Sequence, residues 1–164
     1  MEAIRPATEG DLARCAELVS WAIETSTPKR GGGELARLGI LAGTAVPDDV
    51  GSPSALVARW SADAEDELAV LLVGTIDGVV VGVAAGTRDP SAGRSGRIEC
   101  CYVEPEAREV GVGGHLVEAL MSWFGSHDCS DVDALALPGD RSTKQLLEAS
   151  GFKTRLLVLH RSTS

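Results

Sequence analysis

Val103-Glu104-Pro105-Glu106-Ala107-Arg108-Glu109-Val110-Gly111-Val112-Gly113-Gly114-His115-Leu116 is the stretch on which the reading of this chain turns. An apolar run, Ile98 to Val103, precedes it, and Val112, Leu116, Leu120 and Phe124 recur after it at helical spacing. A strand therefore passes into a helix through Arg-x-x-Gly-x-Gly-Gly, a turn nearly free of side chains. The first turn of such a helix carries N–H groups without intrahelical partners, and the helix dipole adds partial positive charge. This corner suits a phosphate or pyrophosphate. Glycine lets the ligand lie against the backbone, and Arg108 offers a charge-assisted contact.

Two familiar glycine-rich loops do not fit. A P-loop needs Gly-x-x-x-x-Gly-Lys followed by Ser or Thr, which is absent. A dinucleotide fingerprint needs Gly-x-Gly-x-x-Gly after the first strand; here Leu116 takes the third glycine's place, well along the chain. The loop instead resembles the acyl-CoA loop of the GNAT-type N-acetyltransferases, whose signature is Arg or Gln, two residues, Gly, one residue, then Gly or Ala. Arg108, Gly111 and Gly113 match it, and Val103-x-Pro105 lies where the family has the same pair. The opening Ile4-Arg5-Pro6-Ala7-Thr8-x-x-Asp11-Leu12 is similar to a family start, and Leu146 to Phe152 to the last helix and its Gly-Phe. The resemblance spans nearly the whole chain. It implies an α/β fold, a mixed central sheet flanked by about four helices, as one domain over residues 1–164.

Composition agrees with one domain able to bury a core. No run of eighteen apolar residues occurs and no basic-then-apolar leader opens the chain, so a cytoplasmic protein without a membrane span is expected. The net charge of −9 argues against nucleic-acid binding and suits a cationic acceptor such as an amine. Cys15, Cys100, Cys101 and Cys129 are scattered, as are His115, His127 and His160, so free thiols and no metal site are expected.

Thr8-x-x-Asp11 reads as the cap of a helix ending near Thr25–Pro28. A glycine break at Gly31 to Gly33, a short helix over Glu34–Ala42 and a turn-rich Ala45–Pro53 follow. Ser52-Pro53 opens a helix through Trp60. Leu68–Ile76 and Val79–Thr87 form a hairpin at Asp77-Gly78. Strands are expected at Arg97–Val103 and Val132–Leu137, with a helix between them ending near Gly125. A last helix, capped at Asp140 or Ser142, stops at Gly151, and Lys153–His160 closes the sheet. With only that one strand after Gly151-Phe152, either the sheet is shortened or a second copy completes it, and the exposed edge is compatible with a homodimer.

The family resemblance implies direct transfer of an acetyl group from acetyl-CoA to an amine, with no covalent enzyme intermediate. On that reading Arg108, Glu109, Val110, Gly111, Val112, Gly113 and Gly114 hold the pyrophosphate. The backbone near Cys101, Tyr102 and Val103 holds the pantetheine like an added strand, and an N–H there polarises the carbonyl. Asp140 stands where relatives often place an Asn near the cofactor. The base expected to deprotonate the amine of a small molecule or peptide is Glu99, a carboxylate within an apolar strand. Strand alternation puts it on one face with Arg97, Cys101 and Val103, opposite Tyr102. Glu104 is a second carboxylate, on the other face. The sequence departs from the family at Leu147, where many relatives have a Tyr that protonates the departing thiolate; Ser142 and Thr143 are substitutes to consider. That loss keeps a second reading open, an acyl-CoA-binding sensor or regulatory protein with little turnover.

Overall fold

A computed structural model of the chain describes residues 1–31, 52–157, 159, 161 and 163. β1 (Glu2–Pro6) leads through a 3-10 turn into α1 (Leu12–Ser26). Then follow α2 (Pro53–Glu65), β2 (Ala69–Ile76), β3 (Val79–Arg88), β4 (Ser95–Val103), α3 (Val112–Ser126), β5 (Asp131–Ala134) and α4 (Arg141–Ala149). The strands form one five-stranded sheet in chain order. β1 to β4 run antiparallel and β5 lies parallel to β4. The mixed α/β sheet read from the sequence is the one that forms.

Local chemistry accounts for the main boundaries. Asp11 accepts from the Thr8 hydroxyl at 2.6 Å and the Thr8 amide at 2.8 Å, which closes the capping box ahead of α1. Arg5 of β1 grips the same carboxylate with two nitrogens, at 2.7 and 2.9 Å, and so ties the first strand to the first helix. The Arg5 bonds, with those from Thr8, outweigh burial and hold the Asp11 carboxyl well below the usual range. Ser52 Oγ accepts from the Ala55 amide with Pro53 at the first helical position. Asp77 and Gly78 both have positive φ, 49° and 83°, as a two-residue hairpin turn requires. At the end of α4, Phe152 N–H bonds the Leu147 carbonyl and Gly151 N–H the Glu148 carbonyl, both at 3.0 Å, the paired bonds of a Schellman ending.

The sheet carries a core on each face. Cys15, Leu18, Val19, Leu56, Val57 and Trp60 of α1 and α2 pack on one face, against Leu71, Val73, Val83 and Ala85. Val112, Leu116, Val117, Leu120 and Phe124 of α3 pack on the other, with Leu72, Ala84, Ile98 and Val103. α3 lies unusually close. A Cβ at Gly74 would stand 2.4 Å from Val112 Cγ1, and one at Gly96 would stand 2.4 Å from Phe124 Cδ1. The helix that begins at the glycine turn is thus pressed against the strands at both its ends.

Three expectations change. β4 begins at Ser95, ahead of Arg97, and β5 spans only Asp131–Ala134. Leu137 is nevertheless buried while Leu135 is exposed, so the apolar run continues past the strand as packing rather than pairing. No strand forms over 153–157 or at Leu159, because no neighbouring strand pairs with this segment. The expected features at Gly32 and Gly33, Glu34–Ala42 and most of Ala45–Pro53, with His160, lie outside the described residues.

Gly96→Ala should destabilise the fold by about 1–3 kcal/mol, because the Phe124 ring is boxed in and cannot yield freely. Phe124→Leu in the same chain should make the two losses less than additive. Urea unfolding of the four-member cycle measures both, and full additivity would remove the close contact as the cause.

Candidate active site

β5 accompanies β4 only from the Ser95–Asp131 pair to the Ile98–Ala134 pair. From Glu99 to Val103 the outer edge of β4 has no paired strand among the described residues. The parting coincides with a break on the other side of β4. Ala85 pairs with Cys100 and Gly86 with Ile98, which leaves Glu99 as an extra residue, a β-bulge.

The bulge corrects the assignment of faces. Ile98, Cys101 and Val103 belong to the α3 side, and Cys100 and Tyr102 to the α1–α2 side. Glu99 is bonded to Thr87, the neighbour of Gly86, whose own missing side chain would point at Phe124 on the α3 side. Glu99 therefore faces α1 and α2 and shares that face with Arg97 and Tyr102, not with Cys101 and Val103. Simple alternation fails because one extra residue reverses parity along the rest of the strand.

Glu99 is buried, at 6% exposure. Its Oε1 accepts from the Thr87 hydroxyl at 2.6 Å, and its Oε2 is buried with no partner. Burial pushes the carboxyl above its ordinary value; the Thr87 bond and the charges of Arg97 and Arg59 pull the other way without cancelling it. Among the described residues, one other buried side-chain atom lacks a partner, Trp60 Nε1 of α2. The α1–α2 side of the sheet thus holds an acceptor and a donor that no described residue satisfies.

The glycine turn sits at the other end of the unpaired edge. Pro105–Val110 forms a 3-10 turn, and Gly111, at φ 92°, caps α3 in the left-handed conformation that disfavours other residues. His115 N–H reaches back to the Gly111 carbonyl at 3.1 Å, so the amides of Val112, Gly113 and Gly114 precede that ladder. Arg108 Nε donates to the Val103 carbonyl at 2.9 Å, and its guanidinium lies 5.5 Å from the centre of the Tyr102 ring. The arginine therefore fastens the turn to its strand. Glu109 and Val110 are exposed, Val112 is buried, and a Cβ at Gly113 would meet Leu146 of α4 at ordinary contact distance. One at Gly114 would meet no protein atom within 4 Å. Glu2 of β1 stands beside the turn, bonded to His115 Nδ1 at 2.9 Å.

The remaining residues are more committed to structure. Asp140 caps α4, accepting from the Thr143 amide and from the Ser142 and Thr143 hydroxyls, and it pairs with Lys29 at 3.1 Å. Burial acts to raise its carboxyl, but the bonds from Thr143, Lys29 and Ser142 prevail and hold it low. The Lys29 pair, between groups distant in sequence, was not legible beforehand. Leu147 is buried in the α3-side core. Glu104 is ion-paired with Arg14 at 2.6 Å, and Arg14 lies 5.0 Å from the Trp21 ring. All four cysteines are free. Burial pushes the Cys15 thiol up to about 11 and the Cys101 thiol up to about 12, and raises Cys100 too, so none of these three is a ready thiolate. Among the described residues there is no group of three or more metal-ligating side chains, and no helix long and apolar enough to cross a membrane.

Comparison with known proteins agrees with this geometry. The model of the acetyltransferase (GNAT) family matches residues 42–152, more than half of the chain. The chain belongs to the GNAT acetyltransferase family, whose general reaction is acetyl transfer. No curated protein matches it in sequence. Similar solved structures include AAC(6')-Iy in complex with the bisubstrate analogue CoA-S-monomethyl-acetylneamine, at 18% identity and TM-score 0.66, covering 100% of this chain and 99% of that one. A predicted acetyltransferase with acetyl-CoA from Clostridium acetobutylicum is 15% identical, with TM-score 0.67 over 99% and 96% of the two chains. Glucosamine-6-phosphate N-acetyltransferase from Arabidopsis thaliana is 16% identical, with TM-score 0.59 over 100% and 99%. At these identities the likeness is one of fold.

Thr87→Val removes the hydroxyl that stabilises the charged form of Glu99, so Glu99 should titrate at a still higher pH. Thr87→Ser, which keeps the donor, should return it toward the parent value. Carbon-13 NMR titration of side-chain-labelled glutamate measures this, and an unmoved midpoint in Thr87→Val would show that the bond does not govern the ionisation.

Proposed function

We propose that this protein is a cytoplasmic, acetyl-CoA-dependent N-acetyltransferase that acts on a primary amine of a small molecule or peptide by direct transfer, with Glu99 as general base. The observation that carries the reading is the buried Glu99 carboxylate with one unpartnered oxygen, at the bulge where β4 and β5 part. A strand edge open from Glu99 to Val103 suits the amide groups of a pantetheine arm, which can bond to it as an added strand. The amides of Val112, Gly113 and Gly114 and the charge of Arg108 suit the pyrophosphate. Exposed Glu109 and Val110 shape the rim of that turn, while Asp140 contributes by holding the start of α4 in place. The solved relatives with a CoA bisubstrate analogue and with acetyl-CoA support the same co-substrate.

The amine nitrogen attacks the thioester carbonyl carbon, a C–N bond forms, and the C–S bond breaks to release the CoA thiolate. An acceptor arriving as ammonium gives one proton to solvent before attack; Glu99 takes the second from the attacking nitrogen, directly or through one water, and passes it to solvent. A carboxyl raised by burial is a stronger base once ionised, and it must be ionised to act, so turnover rises with pH through its elevated midpoint. A backbone N–H of the open edge polarises the carbonyl, and holding the reactants together supplies several kcal/mol, by order of magnitude. A thiol with a pKa of ~8.5 leaves as thiolate without a dedicated acid. The net charge of −9 favours a cationic acceptor.

Leu147 favours one other reading, an acyl-CoA sensor with little turnover, because it puts no hydroxyl where a thiolate would be protonated. Two substitutions separate the cases. Glu99→Gln should lower turnover by about 10²–10⁴-fold while calorimetry finds acetyl-CoA affinity unchanged. Gly114→Glu adds a carboxylate in open space near a helix N-terminus, where the fold tolerates it, and should weaken acetyl-CoA binding about tenfold or more by opposing the pyrophosphate. Binding without turnover across an amine screen would establish the sensor, and absence of binding would end both readings.

A further inference from the structure

Arg97 stands apart from the other arginines of the sheet. Arg5 is bonded to Asp11, and Arg88 to the Glu67 carbonyl. Arg97 is exposed and makes no hydrogen bond or ion pair among the described residues. Its place in the sheet is nevertheless fixed on both sides. On β3 its register partner is Thr87, the residue whose hydroxyl binds Glu99. On β5 it is Asp133, which shares the face of Arg97 because Val132 and Ala134 turn to the α3 core. Asp133 is exposed as well and forms no ion pair with the guanidinium. Arg97 and Glu99 are two residues apart on the α1–α2 face, about 6–7 Å along the strand. The charge of Arg97 is felt at Glu99, as is that of Arg59 from α2.

From this arrangement, and resting on the reading of Glu99 as the base, we infer that Arg97 selects the acceptor: it binds an anionic group, carboxylate or phosphate, carried by the same molecule as the reacting amine. The acceptor class is then a compact zwitterion rather than a simple amine or a diamine. A guanidinium presents its donors in a planar fork that matches the oxygens of either anion. An arginine serving only the fold has its fork or its Nε on a carbonyl or carboxylate, as Arg5 and Arg88 do, and Arg97 has neither. The net charge of −9 attracts an ammonium at long range and repels an anion, so an anionic group is retained only where a cation is fixed close by. The order along β4 also suits such a molecule. Arg97 comes first, Glu99 next, and the open edge runs from there to Val103. An acceptor anchored by its anion at Arg97 presents its amine to Glu99 and to the start of that edge, and fixing it at one end limits the orientations it must lose before attack.

Matched acceptors that differ only in the anion test this: phenylalanine against phenethylamine for a carboxylate, and phosphoethanolamine against ethanolamine for a phosphate. In thiol release, the anionic member of one pair should lead by about tenfold or more in kcat/KM, and the pair that responds identifies the anion. Arg97→Gln should erase that lead, and Arg97→Lys should restore part of it. The ratio within a pair cancels any effect of the lost charge on Glu99, which both members share. Ligand-observed NMR titration of the same compounds into the CoA-bound protein reads the preference without turnover. Anion-dependent binding that Arg97→Gln abolishes, with no turnover of any amine, would overturn the enzymatic reading while upholding the anion site. A preference that survives Arg97→Gln, or no preference in either assay, would overturn the inference itself.

Discussion

The close seat of α3 on the sheet is the constraint on which the site depends. Gly74 and Gly96 remove side chains where Val112 and Phe124 press in, so both ends of the helix are located against the strands to within a methyl group. Interiors packed at this density transmit small displacements rather than absorb them. The consequence appears at the N-terminus of α3. Val112 is fully buried, and the amides of Gly113 and Gly114 follow directly, so the position of those amides is set by core packing. Arg108 completes the fixation by bonding its turn to Val103, the last residue of the open edge. The turn and the edge are thereby held in register with each other, as binding of one extended ligand across both would need.

The bulge at Glu99 acts at the other end of that edge. Inserting one residue bends and twists a strand, and here β5 ceases to follow β4 at the same point. The insertion also turns a carboxylate into the α1–α2 face, where it is buried with one oxygen unsatisfied, a situation that costs about 1–3 kcal/mol. A sheet selected for stability alone would place an apolar residue there. The irregular pairing and the unsatisfied group fall together, which is the pattern expected of a site rather than of a fold element.

Features that rest on local chemistry were legible in the sequence. Thr8 and Asp11, Ser52-Pro53, Asp77-Gly78 and Gly151 each act within a few residues, and each boundary falls close to where those residues put it. The glycine turn was legible for the same reason. The face of Glu99 was not, because parity along a strand depends on pairing with β3, a non-local fact that the strand's own residues do not encode. Asp140 shows a related limit. Its cap could be read from the next three residues, but its pairing with Lys29 depends on where α1 ends in space. The segment after Phe152 has the composition of a strand, yet a strand exists only where an edge receives it, and none of its described residues pairs with the β5 edge.

The hydroxyl groups near the end of α4 bear on how the reaction would run. Ser142 and Thr143 both donate to Asp140, so using either as an acid would break the cap that starts α4. Leu147 is apolar and buried, and its carbonyl is engaged by Phe152. Tyr102 lies on the face that Glu99 occupies, with its ring beneath Arg108. The positions considered for protonating a thiolate are therefore apolar, structurally committed, or placed with Glu99. On the proposed reading, the barrier would be lowered mainly on the side of attack, through deprotonation of an amine and alignment along the open edge. In such an arrangement the unpartnered oxygen of Glu99 is the group whose chemistry the fold has done most to isolate.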